Sequence, residues 1–200
     1  MQNVIVTEIN KCVRCMACEV ACKVENDPPL GKFFTTIERI GPNPINDGDT
    51  FPNVEMYFLP MKCQHCMKPE CVEVCPTGAS QKVEDGTVQI DEEVCIGCQQ
   101  CIPACPYNVR YLNEELNVVQ KCKMCKQLTD KDELPRCVAA CTGQALHFGD
   151  IDDPESDVSK LVAEWGDKAY KLPDSGNEPS NWYLLDKFKW RETFKDGANR

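Results

Sequence analysis

Histidine is scarce in this 200-residue chain, and long apolar runs are missing. With only His65 and His147 present, general acid–base catalysis near neutral pH has few candidate groups. No run approaches the length of about 18 apolar residues that a bilayer requires, so the sequence predicts no direct membrane span. The first residues lack the basic start, apolar core and small-residue cleavage site of a secretion signal. This predicts cytoplasmic synthesis and disfavours a disulfide scaffold.

Basic residues are also few. Lysine and arginine total 22 against 32 acidic residues, a net charge of −10, and an acidic surface repels the phosphate backbone of nucleic acids. The chain contains no glycine-rich phosphate loop, no G-x-S-x-G serine motif and no H-E-x-x-H metalloprotease motif. The sequence therefore predicts neither a nucleic-acid partner nor a catalytic site of its own.

Cysteine, in contrast, is abundant, with 16 in the 200 residues. The cysteines fall into four groups of four, and three residues separate the last two cysteines of each group. None is left over, which favours metal-bound thiolates over isolated cysteines in an apolar core. The groups are Cys12, Cys15, Cys18 and Cys22; Cys63, Cys66, Cys71 and Cys75; Cys95, Cys98, Cys101 and Cys105; and Cys122, Cys125, Cys137 and Cys141.

The spacing within the groups favours iron–sulfur clusters over zinc. The third group reads C-x2-C-x2-C-x3-C-P through Pro106, the bacterial ferredoxin run that holds [4Fe–4S] clusters. The first group has Lys23 in place of the proline, the second has a loop two residues longer, and the fourth is stretched. Taken alone, the fourth group fits a zinc ribbon equally well. The crowded cysteines of the first and third groups suit a cubane better than one tetrahedral ion.

The fourth cysteine of the ferredoxin run ligates the neighbouring cluster, so the groups must work in pairs. The second and third groups are adjacent and form an inner pair, which leaves the first and fourth as an outer pair. The sequence thus predicts an α+β fold with two ferredoxin-like 2[4Fe–4S] modules, one inserted in the other. The predicted ligands of four [4Fe–4S] clusters are set I, Cys12, Cys15, Cys18 and Cys141; set II, Cys22, Cys122, Cys125 and Cys137; set III, Cys63, Cys66, Cys71 and Cys105; and set IV, Cys75, Cys95, Cys98 and Cys101.

The predicted domain boundaries follow from this pairing. Residues 1–29 and 117–150 form the outer module, and residues 55–116 form the inner module. Residues 30–54, too polar and irregular for a core, are predicted to be a docking insert. Residues 151–200 are predicted to form a C-terminal helix and a partner-binding tail.

Turn signals flanked by β-forming residues predict two hairpins, the first with its turn at Asp85-Gly86. Short apolar runs near the two ends of the outer module predict one more pair of strands. The predicted strand regions are 83–90, 109–112 with 118–120, 4–6 and 145–148.

A helix is predicted over 154–166, with Asp153 as its N-cap and Gly166 at its end. The aromatic tail over 170–200 shows neither helix nor strand regularity. We expect this tail to wrap a partner subunit, because aromatic anchors are enriched at interfaces. The alternative is that the tail packs back over its own clusters.

Four basic residues lie near cysteines in the sequence and would raise cluster potentials if they faced the clusters. The alternative for each is a solvated surface charge. His65, between Cys63 and Cys66, is a further candidate neighbour of a cluster. The four basic residues are Lys62, Arg110, Lys121 and Arg136.

Three segments carry a family resemblance. The sequences CPTGA over 75–79, CPY over 105–107 and CTGQALHFGD over 141–150, with the order of the four groups, resemble one family. It comprises the iron–sulfur (beta) subunits of the dimethyl sulfoxide reductase family of molybdopterin oxidoreductases. The resemblance covers about residues 3–150.

The resemblance implies a non-catalytic electron-transfer subunit of an anaerobic oxidoreductase that carries four [4Fe–4S] clusters. A large catalytic partner would hold molybdopterin guanine dinucleotide with Mo or W, and the outer pair of clusters would lie nearer to it. A membrane quinone-linked subunit or a soluble electron donor would contact the inner pair. A partner with a twin-arginine signal would export the folded pair.

Residues 111–115 and 117–122 resemble one branch more specifically, the pyrogallol–phloroglucinol transhydroxylases and catechol dehydroxylases. That branch implies a phenolic substrate, handled by the partner. Two interpretations of a different class stay open at this point. They are a free-standing polyferredoxin electron carrier and, less favoured, a cysteine-rich zinc-binding module.

Overall fold

The computed structural model of the chain describes residues 1–186, which contain short strands and helices in the predicted α+β combination. Within these residues no helix combines the length and the apolar character needed to cross a membrane. The strands are β1 (Asn3–Glu8), β2 (Thr35–Pro44), β3 (Val54–Lys62), β4 (Ser80–Lys82), β5 (Val88–Ile90), β6 (Tyr111–Asn113), β7 (Val118–Gln120), β8 (Leu146–Asp150), β9 (Ala169–Tyr170) and β10 (Trp182–Leu184). The helices are α1 (Ala17–Asn26), α2 (Glu70–Glu73), α3 (Lys126–Thr129), α4 (Arg136–Ala139) and α5 (Asp157–Trp165).

A four-stranded sheet in the order β8-β1-β10-β9 joins the two ends of the described chain. Strand β1 pairs antiparallel with β8, which confirms the predicted outer strands, and parallel with β10. Side chains alternate along β1 between two apolar layers. Val4 and Val6 pack against Val158 of α5, whereas Ile5 packs with Cys18 and Leu146 on the other face. The sheet therefore separates helix α5 from the first cysteine loops.

Two short hairpins lie where turn chemistry predicts them. Strands β4 and β5 flank the turn at Asp85-Gly86, where the Asp85 carboxylate accepts hydrogen bonds from the Thr87 backbone N–H (2.8 Å) and hydroxyl (2.6 Å). Strands β6 and β7 pair around a turn in which Asn113 Oδ1 accepts from the backbone N–H of Glu115. Both hairpins are confirmed, although β4 lies just before the predicted region 83–90.

The longest hairpin, β2–β3, differs from the expectation of an irregular insert over 30–54. Strand β2 is regular from Thr35 to Pro44 and pairs with β3, with one irregularity between Ile40 and Asn43. Ile37 and Ile40 are buried in two different apolar clusters. The tip of the hairpin is exposed, whereas its base belongs to the core. Buried residues alternate with less buried ones along the first part of β2. In the sequence, the prolines and the glycine near the tip obscure this alternation.

Helix α5 begins later than predicted. Ser156 is its N-cap and accepts from the Ser159 backbone N–H at 3.2 Å. The Asp153 carboxylate instead accepts from the Glu155 N–H at 2.9 Å, which forms a turn before the helix. Gly166, with φ +54°, ends the helix as predicted.

The prediction that the tail lacks regularity was wrong for its described part. Strands β9 and β10 add to the sheet, and Tyr183 and Leu184 are fully buried within the chain's own core. This part of the tail thus follows the alternative of packing back onto its own chain. Phe188 and Trp190 lie outside the described residues.

Candidate metal centres

Three cavities are each lined by four cysteines, and in every case the four belong to one predicted set. In each cavity the four cysteines leave an open space between them of about the size of a water molecule. A tetrahedral zinc site draws four sulfurs to about 2.3 Å from one point, which leaves no space of this kind between them. The open space between the sulfurs therefore favours a larger group, such as a cubane, over a single zinc ion.

The four cysteines of set II are all buried. Burial raises the pKa of Cys22, and the sulfurs of Cys122, Cys137 and Cys125 raise it further because they lie close by. Asn26 Nδ2 contacts the sulfurs of both Cys22 (3.5 Å) and Cys125 (3.7 Å). Buried thiolates crowded in this way need a positive charge among them, and a metal centre supplies it.

All four cysteine groups share one backbone feature. The residue two positions after the first cysteine of each group adopts a left-handed conformation, which is uncommon for residues other than glycine. This turn curls the chain so that the flanking thiols reach the same side. The residues are Arg14 (φ 55°), His65 (φ 44°), Gly97 (φ 67°) and Met124 (φ 57°).

Five backbone N–H groups, two of them in these turns, donate to cysteine sulfurs. Hydrogen bonds of this kind stabilise the negative charge of a thiolate and tune the potential of the cluster that it binds. The donors are Ala145 to Cys141 (3.2 Å), Ser80 to Cys75 (3.4 Å), Met124 to Cys122 (3.4 Å), Val119 to Cys95 (3.5 Å) and His65 to Cys63 (3.5 Å).

Two side chains add stronger donors. Arg110 Nη2 lies 2.8 Å from Cys71 Sγ, and Asn177 Nδ2 lies 3.1 Å from Cys66 Sγ. The Nε and Nη1 groups of Arg110 are buried without a hydrogen-bond partner among the described residues. Buried donors of this kind suit an acceptor-rich group such as the sulfides of a cluster. Sequence reasoning missed Asn177, since it lies 111 positions from Cys66 in a segment with no metal-binding motif.

The basic residues near the cysteines divide into two classes. Lys62, Arg110 and Lys121 are buried, so the surface-charge alternative is wrong for them. Arg136 is partly exposed and pairs with Glu25 at 2.8 Å, as a surface charge does.

His65 does not line the cavity of set III, whose lining includes Gln64 instead. The imidazole is fully buried, and its Nδ1 accepts from the Val88 backbone N–H at 3.0 Å. This bond joins the loop that carries Cys63 to strand β5. The imidazole also lies beside the Cys63 sulfur, so His65 neighbours a predicted cluster ligand although it does not line the cavity.

Contacts between the sets arrange them in a row. Cys18 of set I packs in one apolar cluster with Cys137 of set II, and Cys122 of set II packs with Cys63 of set III. Arg110 lines the cavities of both set III and set IV. When bound at such a site, a [4Fe–4S] cluster takes up and releases one electron at a time.

Comparisons with known proteins agree with this chemistry. Two family models described as 4Fe–4S dicluster domains match residues 11–79 and 54–151. One subunit of the sulfite dehydrogenase from Allochromatium vinosum is 39% identical over 206 aligned positions, which cover 92% of this chain and 82% of the relative. One subunit of the tetrathionate reductase from Salmonella typhimurium is 36% identical, and the match covers 88% of this chain and 70% of the relative. The electron transfer subunit of thiosulfate reductase from Salmonella typhi is 40% identical, with 82% of each chain covered.

The two dicluster matches together span residues 11–151, which hold all 16 cysteines. They agree with the spacing and the cavities in favouring iron–sulfur clusters over zinc. The chain therefore belongs to the family of iron–sulfur subunits of molybdopterin oxidoreductases, as an electron-transfer subunit that carries four [4Fe–4S] clusters.

Proposed function

We propose that the chain relays single electrons to or from a catalytic partner through four clusters ligated by sets I to IV, in that order. The observation that carries this proposal is the lining of three cavities by one predicted set each. The shared burial of set II, and the Asn26 amide that spans two of its sulfurs, support the fourth assignment.

We also propose the nested arrangement of the two modules, with the outer module over 1–29 and 117–150 and the inner module over 55–116. Its support is the antiparallel pairing of β1 with β8, which brings the two halves of the outer module together. The β4–β5 hairpin connects the second and third cysteine groups within the inner module. The β6–β7 hairpin connects the third group to the fourth, at the boundary between the two modules.

Helix α1 offers a matched test of the ligand sets. Cys18 and Cys22 are both buried on α1, one helical turn apart, yet they are assigned to sets I and II. We expect Cys18→Ser and Cys22→Ser to alter two different clusters, seen as distinct changes in the electron paramagnetic resonance (EPR) spectrum of the reduced, anaerobically purified complex. If both variants alter the same cluster, the assignment of the sets is wrong.

The catalytic partner is proposed to dock at the set I end of the row. Cys15 and Cys98 are the exposed cysteines of the described chain, and they belong to sets I and IV at its two ends. Val13, two residues before Cys15, is exposed and apolar, and so are Val20 and Val24, which lie one turn apart on the α1 helix that follows. The partner is a large subunit with molybdopterin guanine dinucleotide and Mo or W, in keeping with the names of the relatives as subunits of larger enzymes.

The opposite end, at set IV, is then left for a membrane quinone-linked subunit or a soluble electron donor. Its surface also carries exposed apolar residues, Val94 and Ile96, beside Cys98. Export of the folded pair by a twin-arginine-bearing partner and a phenolic substrate remain predictions from the resemblance. The docking roles of the hairpin tip and of residues 187–200 remain predictions from the composition of those segments.

Co-purification tests the docking direction. We expect Val20→Asp with Val24→Asp to reduce recovery of the chain with its large partner at least tenfold, because two charges replace apolar contacts. Leu116→Asp is the matched control, since Leu116 is also exposed and apolar but lies in the β6–β7 turn. Equal recovery of both variants contradicts docking through α1, and a wild-type chain that elutes as a monomer favours the polyferredoxin alternative.

A further inference from the structure

Among residues 1–186, three basic side chains are buried in the interior. Lys62 is 1% exposed, Lys121 2% and Arg110 4%. A buried charge is costly unless it is paired, yet none of the ion pairs among residues 1–186 joins these three to a carboxylate. The negative groups that face them are instead cysteine sulfurs, through a direct hydrogen bond at Arg110 and through charge interactions at the two lysines.

Lys62 lies at the end of strand β3, on the same face as Pro60, which lines the cavity of set I. Ile37, the cross-strand partner of Pro60, packs in one apolar cluster with Cys18 of set I and Cys137 of set II. This face of β3 is therefore shared by sets I and II.

Burial raises the pKa of Cys12 and Cys18 in set I and of Cys137 in set II, and the Lys62 ammonium opposes that rise at all three sulfurs. A single charge thus acts on both sets at once.

Lys121 lies between sets II and III. Its Nζ donates to the carbonyl oxygens of Val88 and Cys122 (2.8 Å for Cys122). Burial lowers the pKa of Lys121, whereas the sulfurs of Cys63 in set III and Cys122 in set II favour its charged form.

Arg110 lies between sets III and IV. Its guanidinium lines both cavities and donates through Nη2 to Cys71 Sγ (2.8 Å) and Ser80 Oγ (3.1 Å). Its charge also acts on Cys101 of set IV. The guanidinium is charged at every accessible pH, so this junction always carries a positive charge.

We propose that Lys62, Lys121 and Arg110 are positioning residues that place one buried cation at each junction between successive clusters. An electron that arrives at either neighbour adds one negative charge, and a cation shared by both neighbours stabilises that charge on either side. The cation thereby raises both reduction potentials together, so the difference between them, which drives electron transfer across the junction, stays small. The inference rests on the proposed ligand sets.

The test is an EPR-monitored redox titration of the full chain, purified anaerobically in its native complex, with iron and sulfide counted per chain. In Arg110→Met we expect two of the four potentials to fall, each by at least a tenfold change in the reduction equilibrium, or about 59 mV for one electron. Lys121→Met is expected to lower two potentials, one of which Arg110→Met also lowers. Lys62→Met is expected to lower two potentials, neither of which belongs to the set IV cluster. Arg110→Lys keeps the charge, and Lys160→Met removes an exposed charge from α5; we expect both to leave all potentials within about threefold of wild type.

Full iron with unchanged potentials in Arg110→Met overturns the inference but leaves the ligand sets standing. An Arg110→Lys variant that shifts as far as Arg110→Met also overturns it, because geometry and not charge would then be responsible. If Arg110→Met loses iron, retention of iron in Arg110→Lys supports the charge requirement, and loss in both variants contradicts it. If Cys18→Ser and Cys22→Ser instead alter the same cluster, the assignment of the ligand sets themselves is wrong.

Discussion

Single residues around the cysteines have two roles. Some shape the loops, and others donate hydrogen bonds to sulfur. The two-residue spacing predicts that neighbouring thiols of one group lie close together, because a loop of two residues limits where the next thiol can lie. The assignment of a distant cysteine to each set rests instead on the crossover of ligands in the ferredoxin run. The spacing did not predict Asn177 or the burial of Lys62 and Lys121, since those depend on contacts between segments far apart in sequence. The left-handed turns were equally hidden, since Arg14 and Met124 have no preference for that conformation.

Gly97 is predicted to be essential for the set IV centre. A Cβ at this position would lie 2.5 Å from the backbone oxygen of Asn117, and its φ is +67°. Since backbone cannot yield as a side chain can, we expect Gly97→Ala to lose about four irons per chain by iron analysis. Gly31→Ala is the control, because φ is +79° there but a Cβ meets nothing within 4 Å. Equal iron content in the two variants would show that the close contact with Asn117 is unimportant.

Asn177 is predicted to raise the potential of the set III centre. Its amide donates to Cys66 Sγ at 3.1 Å and to the Tyr107 hydroxyl at 2.9 Å, and it is buried. A hydrogen bond to sulfur strengthens as negative charge builds up, so we expect Asn177→Leu to lower one potential by about 59 mV, a tenfold change for one electron. Redox titration measures this shift. The exposed Asn10→Leu is the control, and a rise in any potential in Asn177→Leu would contradict the prediction.

Elements held by local signals were predicted better than those held by distant pairing. The β4–β5 and β6–β7 hairpins follow from turn residues that specify them within a few positions. Strand β10 has no such signal, because it pairs in parallel with β1 from the other end of the chain. A side chain reinforces that pairing, since Asn181 Oδ1 accepts from the Ile5 backbone N–H at 2.8 Å. Strand β10 therefore takes its stability from such long-range contacts and not from a local turn.

Leu184 on β10 is predicted to be a major contributor to stability. It is fully buried in a cluster with Val4, Val6 and Val158, so Leu184→Ala is expected to lower the free energy of unfolding by about 2–5 kcal/mol. Anaerobic denaturant titration with full iron content measures the change. Leu116→Ala removes an exposed leucine and is expected to cost under about 0.5 kcal/mol. Equal losses in the two variants would mean that β10 is not part of the cooperative core.

At the scale of the whole molecule, the metal sites and the core are one structure. Three of the four apolar clusters include cysteines of the predicted sets, and the fourth lies between the sheet and α5. A chain with few long apolar runs can fold in this way, because bound clusters take the place of side-chain packing. The buried cations are complementary in charge to the clusters, since each oxidised cluster with its thiolates carries a charge of about −2. Most of the acidic residues of the described chain lie instead at the surface.

Exposure along the row predicts the order in which the clusters are lost. Sets I and IV each contain an exposed cysteine, Cys15 and Cys98, whereas every cysteine of set II is buried. Oxidants and chelators reach the ends first, so we expect about half of the iron to leave in an early phase during controlled exposure of the purified complex to air and chelator. EPR spectra taken alongside iron release identify the sites, and the set II signal is expected to persist longest. Binding of the large partner over α1 should then protect set I but not set IV, so the isolated chain and the complex differ in one of the two early losses. An early loss of set II would contradict the burial that defines the interior of the row.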